Sequence, residues 1–271
     1  LEPRPDIRSD PGIGSGRRIV SDHFPAGNPI MTPQEARLIR ARFSAPADIA
    51  EAERRLDAHE PLAYILGEWY FWRQTYRITP DVLVPQPDSE LLVEHLVKNL
   101  PSHGRFADLC TGSGCIAISA LCERPDATAV ALELSPPAME IARENALRCG
   151  VTDRLTLISG DVTRPGTLQG DFDQIVSNPP YIRSDVLPTL APEVRAEPRM
   201  ALDGGEDGLR FYRALLTLYP PHLRPGGSLL LEIGYDQAAE IRSLAENHRL
   251  SCRIFRDYGG NDRVAQLRPL S

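Results

Sequence analysis

After residue 88 the sequence alternates short apolar runs with longer amphipathic ones, and this alternation constrains the fold more than any single motif. Residues 128–134 are apolar almost without interruption, the mark of a strand covered on both faces. Residues 106–110, 155–159, 174–177 and 228–233 read as further strands. The segments between them read as helices: 89–100, with Leu91, Leu92, His95 and Leu96 as its apolar stripe, then 115–122, 136–149, 209–223 and 236–247. Gly150 supplies a stop after helix 136–149, and Pro220-Pro221 bends or breaks 209–223. Such a βαβα series folds as an α/β protein, a doubly wound parallel sheet with helices on both faces. Residues 253–255 and 264–267 are expected to close that sheet as an antiparallel pair.

Before residue 89 the pattern differs. Residues 1–30 are rich in Pro, Gly, Arg and Asp without apolar periodicity, and are expected to form a flexible or atypical arm. Thr32-Pro33-Gln34-Glu35 is a helix start, with Thr as N-cap, Pro at the first helical position and Glu in the first turn. Residues 32–43 and 47–59 read as two short helices, so 31–63 is expected to be a small helical domain. Residues 64–88 read as a β-hairpin linker that carries both tryptophans, Trp69 and Trp72, either as a packing seam to the domain spanning 89–271 or as part of the border of a substrate cleft.

Composition narrows the function classes. The net charge of −7 argues against duplex nucleic acid as the main substrate, since proteins that grip it present a basic face. No apolar run is long enough for a membrane span, and no apolar leader is seen, so a cytoplasmic protein is expected. Five cysteines without a CxxC pair suit reduced thiols, and six scattered histidines lack ligand spacing, so no metal is expected.

The chemistry-bearing residues fall at strand ends. Cys110-Thr111-Gly112-Ser113-Gly114 joins a strand to a helix, where glycines admit a ligand close to the backbone and the helix start offers free N–H groups. In a doubly wound sheet, ligands bind beyond the carboxyl ends of the strands. Glu133 ends the next strand, where an acid can accept both ribose hydroxyls of an adenosine. Asp161, beside Val162, ends the third, where a carboxylate can accept an adenine amino group. Position 117 is Ala instead of the third glycine of a dinucleotide turn, and no Lys lies near, which counts against a nicotinamide enzyme. At the fourth strand stands Asn178-Pro179-Pro180-Tyr181. Two prolines fix the backbone, so Asn178 Oδ1 and the Pro179 carbonyl can both accept from one planar NH2 group, which the Tyr181 ring can cover. Together the two motifs point to methyl transfer from S-adenosylmethionine (AdoMet) to nitrogen. An amide nitrogen is a poor nucleophile because its lone pair is delocalised, and positioning can supply about 7–11 kcal/mol of such a barrier. The sulfonium is already a good leaving group, so neither a metal nor a covalent nucleophile is required.

At these residues the chain resembles the HemK-like protein-(glutamine N5) methyltransferases, which modify the Gly-Gly-Gln loop of peptide chain release factors. The likeness runs from about Glu60 to Leu267. It includes Glu60-Pro61-Leu62-Ala63-Tyr64-Ile65-Leu66-Gly67, Val84-Pro85-Gln86-Pro87-Asp88-Ser89-Glu90, Asp108 with the cofactor turn, Ser177 with Asn178-Pro179-Pro180-Tyr181, Glu197-Pro198, Gly205-Glu206-Asp207-Gly208, and Arg256-Asp257-Tyr258-Gly259 with Asn261-Asp262-Arg263. The resemblance implies a seven-stranded class I AdoMet-dependent methyltransferase sheet behind a small helical, partner-docking N-terminal domain and a hairpin linker. It implies that Asn178 and the Pro179, Pro180 and Tyr181 turn bind the glutamine amide, while Cys110, Thr111, Gly112, Ser113, Gly114, Glu133, Asp161 and Val162 hold AdoMet, with Asn178 bordering it as well, and with S-adenosylhomocysteine as product and release factors as partners. The sequence departs from the usual family pattern at Gln86, where Arg is common, at Cys110, a glycine position, and at Glu133, where Asp is common. Rival substrates are a ribosomal-protein glutamine, a small-molecule amide or guanidine, and a flipped adenine; a non-catalytic adaptor is the rival outside enzymes. The segments around Ser89 and Tyr258 fit the release-factor branch better.

Overall fold

The structure, a computed structural model, describes residues 31–270, and the arm expected over 1–30 lies outside the described residues. The first helix, α1 (Pro33–Arg42), begins with a capping box: the Thr32 hydroxyl accepts from the Glu35 N–H at 3.2 Å, and the Glu35 carboxylate accepts from the Thr32 N–H at 2.7 Å. Helices α2 (Pro46–Asp57) and α3 (Leu62–Leu66) follow, and Ile39, Ala52 and Ile65 close a small apolar core among the three. Tyr64, Ile65 and Leu66, expected at the start of the hairpin, are helical instead. Pro61 precedes this turn, and Gly67 ends it in the left-handed region at φ 73°.

The hairpin proper is β1 (Glu68–Phe71) paired with β2 (Gln74–Arg77). Trp72, at its turn, donates its backbone N–H to Glu90 and its indole Nε1–H to Glu123 at 2.8 Å. These bonds tie the hairpin to α4 (Glu90–Asn99) and α5 (Cys115–Glu123). The buried Tyr76 hydroxyl meets the Ser119 hydroxyl at 2.6 Å, so the same hairpin is pinned to α5 from inside.

The remaining strands are β3 (Arg105–Leu109), β4 (Thr128–Glu133), β5 (Leu155–Ser159), β6 (Phe172–Ser177), β7 (Leu223–Glu232), β8 (Leu250–Arg256) and β9 (Asp262–Pro269). They form a seven-stranded sheet of order β5-β4-β3-β6-β7-β9-β8. The first five run parallel; β9 is antiparallel to β7 and to β8. Helix α6 (Pro136–Arg148) packs with α4 and α5 in one core, while α9 (Arg210–Leu218) and α10 (Ala238–Asn247) pack in the other. Both faces of the sheet are therefore covered, as the uninterrupted apolar runs required. Two short helices, α7 (Pro192–Arg195) and α8 (Arg199–Leu202), lie in the connection from β6 to α9. Chain order reverses about β3, so β3 and β6 are neighbours whose following turns leave the same edge in opposite directions. No helix among the described residues is long and apolar enough to cross a membrane.

Candidate active site

Parallel pairing brings five strand ends to one edge, and each carries a polar residue. At the end of β3, Asp108 is fully buried. Its Oδ2 accepts from the Thr111 hydroxyl at 2.6 Å and from the Ala117 N–H at 3.3 Å, while Oδ1 has no partner among the described residues. An orphaned buried carboxylate oxygen costs stability unless a donor reaches it. Burial pushes the Asp108 carboxyl up to about 7, against the pull of the Thr111 hydroxyl.

The turn that follows is strained at one point. Cys110 adopts φ 60°, in the left-handed region that favours glycine. Cys110→Gly is therefore expected to be tolerated and to stabilise the protein by up to about 1 kcal/mol, strain relief outweighing added chain entropy. Thermal melting checks this, and a lowered midpoint would mean that the thiol's packing dominates. Gly114, by contrast, has no room: a Cβ there would lie 2.8 Å from Ile118 Cδ1 and 3.3 Å from Ala142 Cβ, where α5 meets α6. Thr111 and Ser113 are buried beneath the turn, and the Thr111 N–H bonds to the Leu132 carbonyl at 3.1 Å, locking it to β4.

Glu133 ends β4 and faces back into this turn. Its Oε2 accepts from the Gly112 N–H at 2.9 Å, and its Oε1 accepts from the N–H groups of Leu134 at 2.9 Å and Ser135 at 2.8 Å. Asp161, after β5, is held by the Thr163 hydroxyl and N–H, at 2.7 and 2.8 Å, and these bonds, the hydroxyl's above all, lower its pKa. Val162 is buried, and its carbonyl accepts from the Tyr219 hydroxyl at 3.0 Å.

Asn178 follows β6, which is tied to β3 by the Ser177 hydroxyl donating to the Leu109 carbonyl at 2.6 Å. The Asn178 Nδ2 donates to the Ser89 hydroxyl oxygen at 3.0 Å. Ser89 in turn donates to Glu232 Oε2 at 2.6 Å, and the Tyr181 hydroxyl approaches Glu232 Oε1 at 3.4 Å. Pro179 and Pro180 are buried, and the backbone beyond them is wrapped by a glycine loop. A Cβ at Gly204 would lie 2.7 Å from Tyr181 Cα, and one at Gly208 would lie 2.5 Å from the Tyr181 carbonyl oxygen. Glu232 ends β7 and is buried. Burial pushes it up to about 7, against the Ser89 hydroxyl and the Arg263 charge.

The structure thus brings together every residue expected from sequence at one sheet edge, with direct contact between Glu133 and the Gly112 turn. It adds groups that received no role from sequence: Asp108, Ser89, Glu232 and Glu197. Buried Glu197 Oε2 accepts from the Val84 N–H at 2.9 Å, strapping the β6–α9 connection to the segment that follows the hairpin. Gln86, one of the three departures from the usual pattern, turns back on its own segment and donates to the Val84 carbonyl at 2.9 Å.

Two carboxyls raised to about 7 have a consequence for stability. The folded chain holds protons there that the unfolded chain releases near pH 4. Stability contributed through these groups is therefore greatest at the acid end and declines as pH rises from about 4 to about 7. Ligand-free protein is expected to melt lower at pH 8 than at pH 5.5, with a smaller difference in Asp108→Asn. An unchanged difference in that variant would remove Asp108 as a source. Carboxylates held low by arginines, such as Asp207 at about 2 beside Arg213, titrate below this window.

Residues 86–231 match the family described as Methyltransferase small domain. The fold also resembles a methyltransferase from Pyrococcus furiosus, with a TM-score of 0.55 and 23% identity over 71% of this chain and 86% of that one. Sheet order, the family match and the fold likeness together define a class I, AdoMet-dependent methyltransferase. The chain is 41% identical over 216 residues to the release factor glutamine methyltransferase of Caulobacter vibrioides, covering 78% of this chain and 74% of that protein. It is 43% identical over 213 residues to the protein of the same name from Cereibacter sphaeroides, covering 78% and 75%. The chain belongs to the release factor glutamine methyltransferase family.

Proposed function

We propose that this enzyme transfers the methyl group of AdoMet to the side-chain amide nitrogen, N5, of the glutamine in the Gly-Gly-Gln loop of peptide chain release factors, in the cytoplasm. Family membership carries the reaction and the partner. What supports the residue roles is the hydrogen bonding at Asn178: its NH2 is anchored on buried Ser89, which leaves Oδ1 as the acceptor of the amide. That oxygen and the Pro179 carbonyl would accept the two N–H bonds of the glutamine amide, orienting its nitrogen without a strong base. The Tyr181 hydroxyl, kept protonated by burial, holds the ring beside Glu232, where it would cover the bound amide.

The β3 edge suits the donor. The orphaned Asp108 Oδ1 is an acceptor fit for a cationic donor such as the α-ammonium of AdoMet. Gly112 and Glu133 would take the ribose, with the Asp161-Val162 corner toward the adenine. AdoMet, when bound, supplies an electrophilic methyl carbon on a sulfonium. The protein's part is to hold the acceptor nitrogen in line, to exclude water with Tyr181, and to stabilise the donor's charge. No group of three His, Cys, Asp or Glu side chains converges for a metal among the described residues. We further propose the helical unit, expected over 31–63 and extended by α3 to Leu66, as the docking unit for the release factor, with the hairpin segment up to residue 88 as its linker to the catalytic domain. The test incubates the enzyme with labelled AdoMet and a purified release factor, then maps the labelled peptide. Label on the Gly-Gly-Gln glutamine is expected; label elsewhere, or none, would refute the substrate.

A further inference from the structure

We infer that Ser89 is a positioning residue for methyl transfer, which, under the charge of Glu232, fixes which way round the Asn178 amide sits. The inference rests on Asn178 being the clamp for the acceptor amide. An asparagine side chain is nearly symmetric in shape, and its oxygen and NH2 exchange places by a half-turn. Only one of the two orientations accepts from an incoming NH2. The other would set two donors against each other. Nothing in the Pro179-Pro180 backbone distinguishes them, so a hydrogen-bond partner must.

Ser89 has the connectivity to do this. Its single proton goes to Glu232 Oε2 at 2.6 Å, a short, charge-assisted bond. With that proton committed, the Ser89 oxygen presents only lone pairs to Asn178, 3.0 Å away, and only the NH2 end of the amide can satisfy them. Ser89 and Glu232 are both buried, at 3% exposure each, so water does not compete for these positions. The relay spans three elements far apart in sequence: the turn before α4, the end of β6 and the end of β7.

The relay depends on the ionised form of Glu232. A protonated Glu232 would itself donate to Ser89, free the serine proton to point at Asn178, and favour the flipped amide. The charged or titratable groups that face Glu232 are Asp88 beside Ser89, Tyr181 after β6, Tyr212 on α9, Arg263 on β9 and Cys115 on α5. Arg263 favours the ionised form, Asp88 opposes it, and burial raises the carboxyl into the range where it titrates near neutrality. The rate is therefore expected to rise with pH through about 7.

The test measures kcat at saturating AdoMet and saturating release factor from pH 5.5 to 8.5, for the parent, Ser89→Ala and Ser89→Thr, with AdoMet affinity by calorimetry and melting curves alongside. Saturation removes the contribution of Asp108 to donor binding. The expected result for Ser89→Ala is a kcat lowered about tenfold or more, an AdoMet affinity equal to the parent's, and loss of the acid limb. Ser89→Thr, which keeps the hydroxyl, is expected to restore rate and limb. A Ser89→Ala enzyme that turns over like the parent, keeps the parent's acid limb, or loses AdoMet affinity in step with kcat would overturn the inference. Should Ser89→Ala fail to fold, the parent's profile still decides: a kcat flat from pH 5.5 to 8.5 overturns it. Absence of methyl transfer by the parent would instead refute the proposed reaction, and the inference with it.

Discussion

Asn178→Ala is expected to lower kcat by about 10²–10³-fold, comparable to removing one preorganised polar contact from a transition state. The physical reason is geometric. The sulfonium is reactive enough, and what the amide nitrogen lacks is orientation, which the two acceptors proposed on the proline-fixed turn would supply. Truncation removes the side-chain acceptor and leaves the Pro179 carbonyl. It also leaves Ser89 with one fewer donor, while its bond to Glu232 at 2.6 Å persists. The turn proposed for the cofactor follows β3, is bonded to β4 and does not use the Asn178 side chain, so AdoMet affinity is expected to stay within about twofold, far below the cost of a lost hydrogen bond. Turnover and calorimetry on the same preparation separate these effects. Near-normal turnover would refute the clamp, and a parallel loss of AdoMet affinity would move Asn178 into the donor site.

The second large effect is expected at Glu133. Replacing it with Ala should weaken AdoMet by about 1.5–3 kcal/mol, the range for hydrogen bonds to a charged group. The structure gives this substitution a second consequence. The carboxylate accepts the N–H groups of Gly112, Leu134 and Ser135, so its removal also frees the turn proposed to carry the donor. The ligand-free protein should therefore melt lower as well. Glu133→Gln separates the two: its amide oxygen can keep the Gly112 contact while the charge is lost. If Glu133→Gln binds AdoMet like the parent, the ribose assignment falls, whatever the alanine variant does.

The sheet was legible because its strands are apolar on both faces and its helices on one, so 128–134 and 155–159 could be placed within a residue of where they form. Residues 223–227 were not, because Pro225-Gly226-Gly227 reads as a turn, yet β7 begins at Leu223 beside an irregularity in its pairing with β6. The β6–α9 connection was equally opaque. Its two helices are four residues each, too short to show a period, and its shape comes from distant contacts such as Glu197 to Val84. At the site, the proline-fixed corner and the glycine turn announced themselves because backbone geometry dictates their residues. Glu232 could have been found by the reasoning applied to Glu133, since each is an acid closing an apolar strand, Leu229-Leu230-Leu231 in one case and Ala129-Val130-Ala131-Leu132 in the other. Ser89 could not, because it reads as the first residue of helix 89–100, whereas here its hydroxyl serves Glu232 and Asn178, both distant in sequence.

The contact of Gly204 and Gly208 with Tyr181 bears on how such a corner can be transplanted or re-engineered. Grafting the four residues from Asn178 to Tyr181 onto another scaffold would carry the acceptors but not the mould that shapes them. The portable unit also includes the stretch from Asp203 to Gly208, which the Ile182–Asp203 bridge holds alongside. Directed changes of substrate should therefore leave both glycines untouched and sample the side chains that point away from that seam.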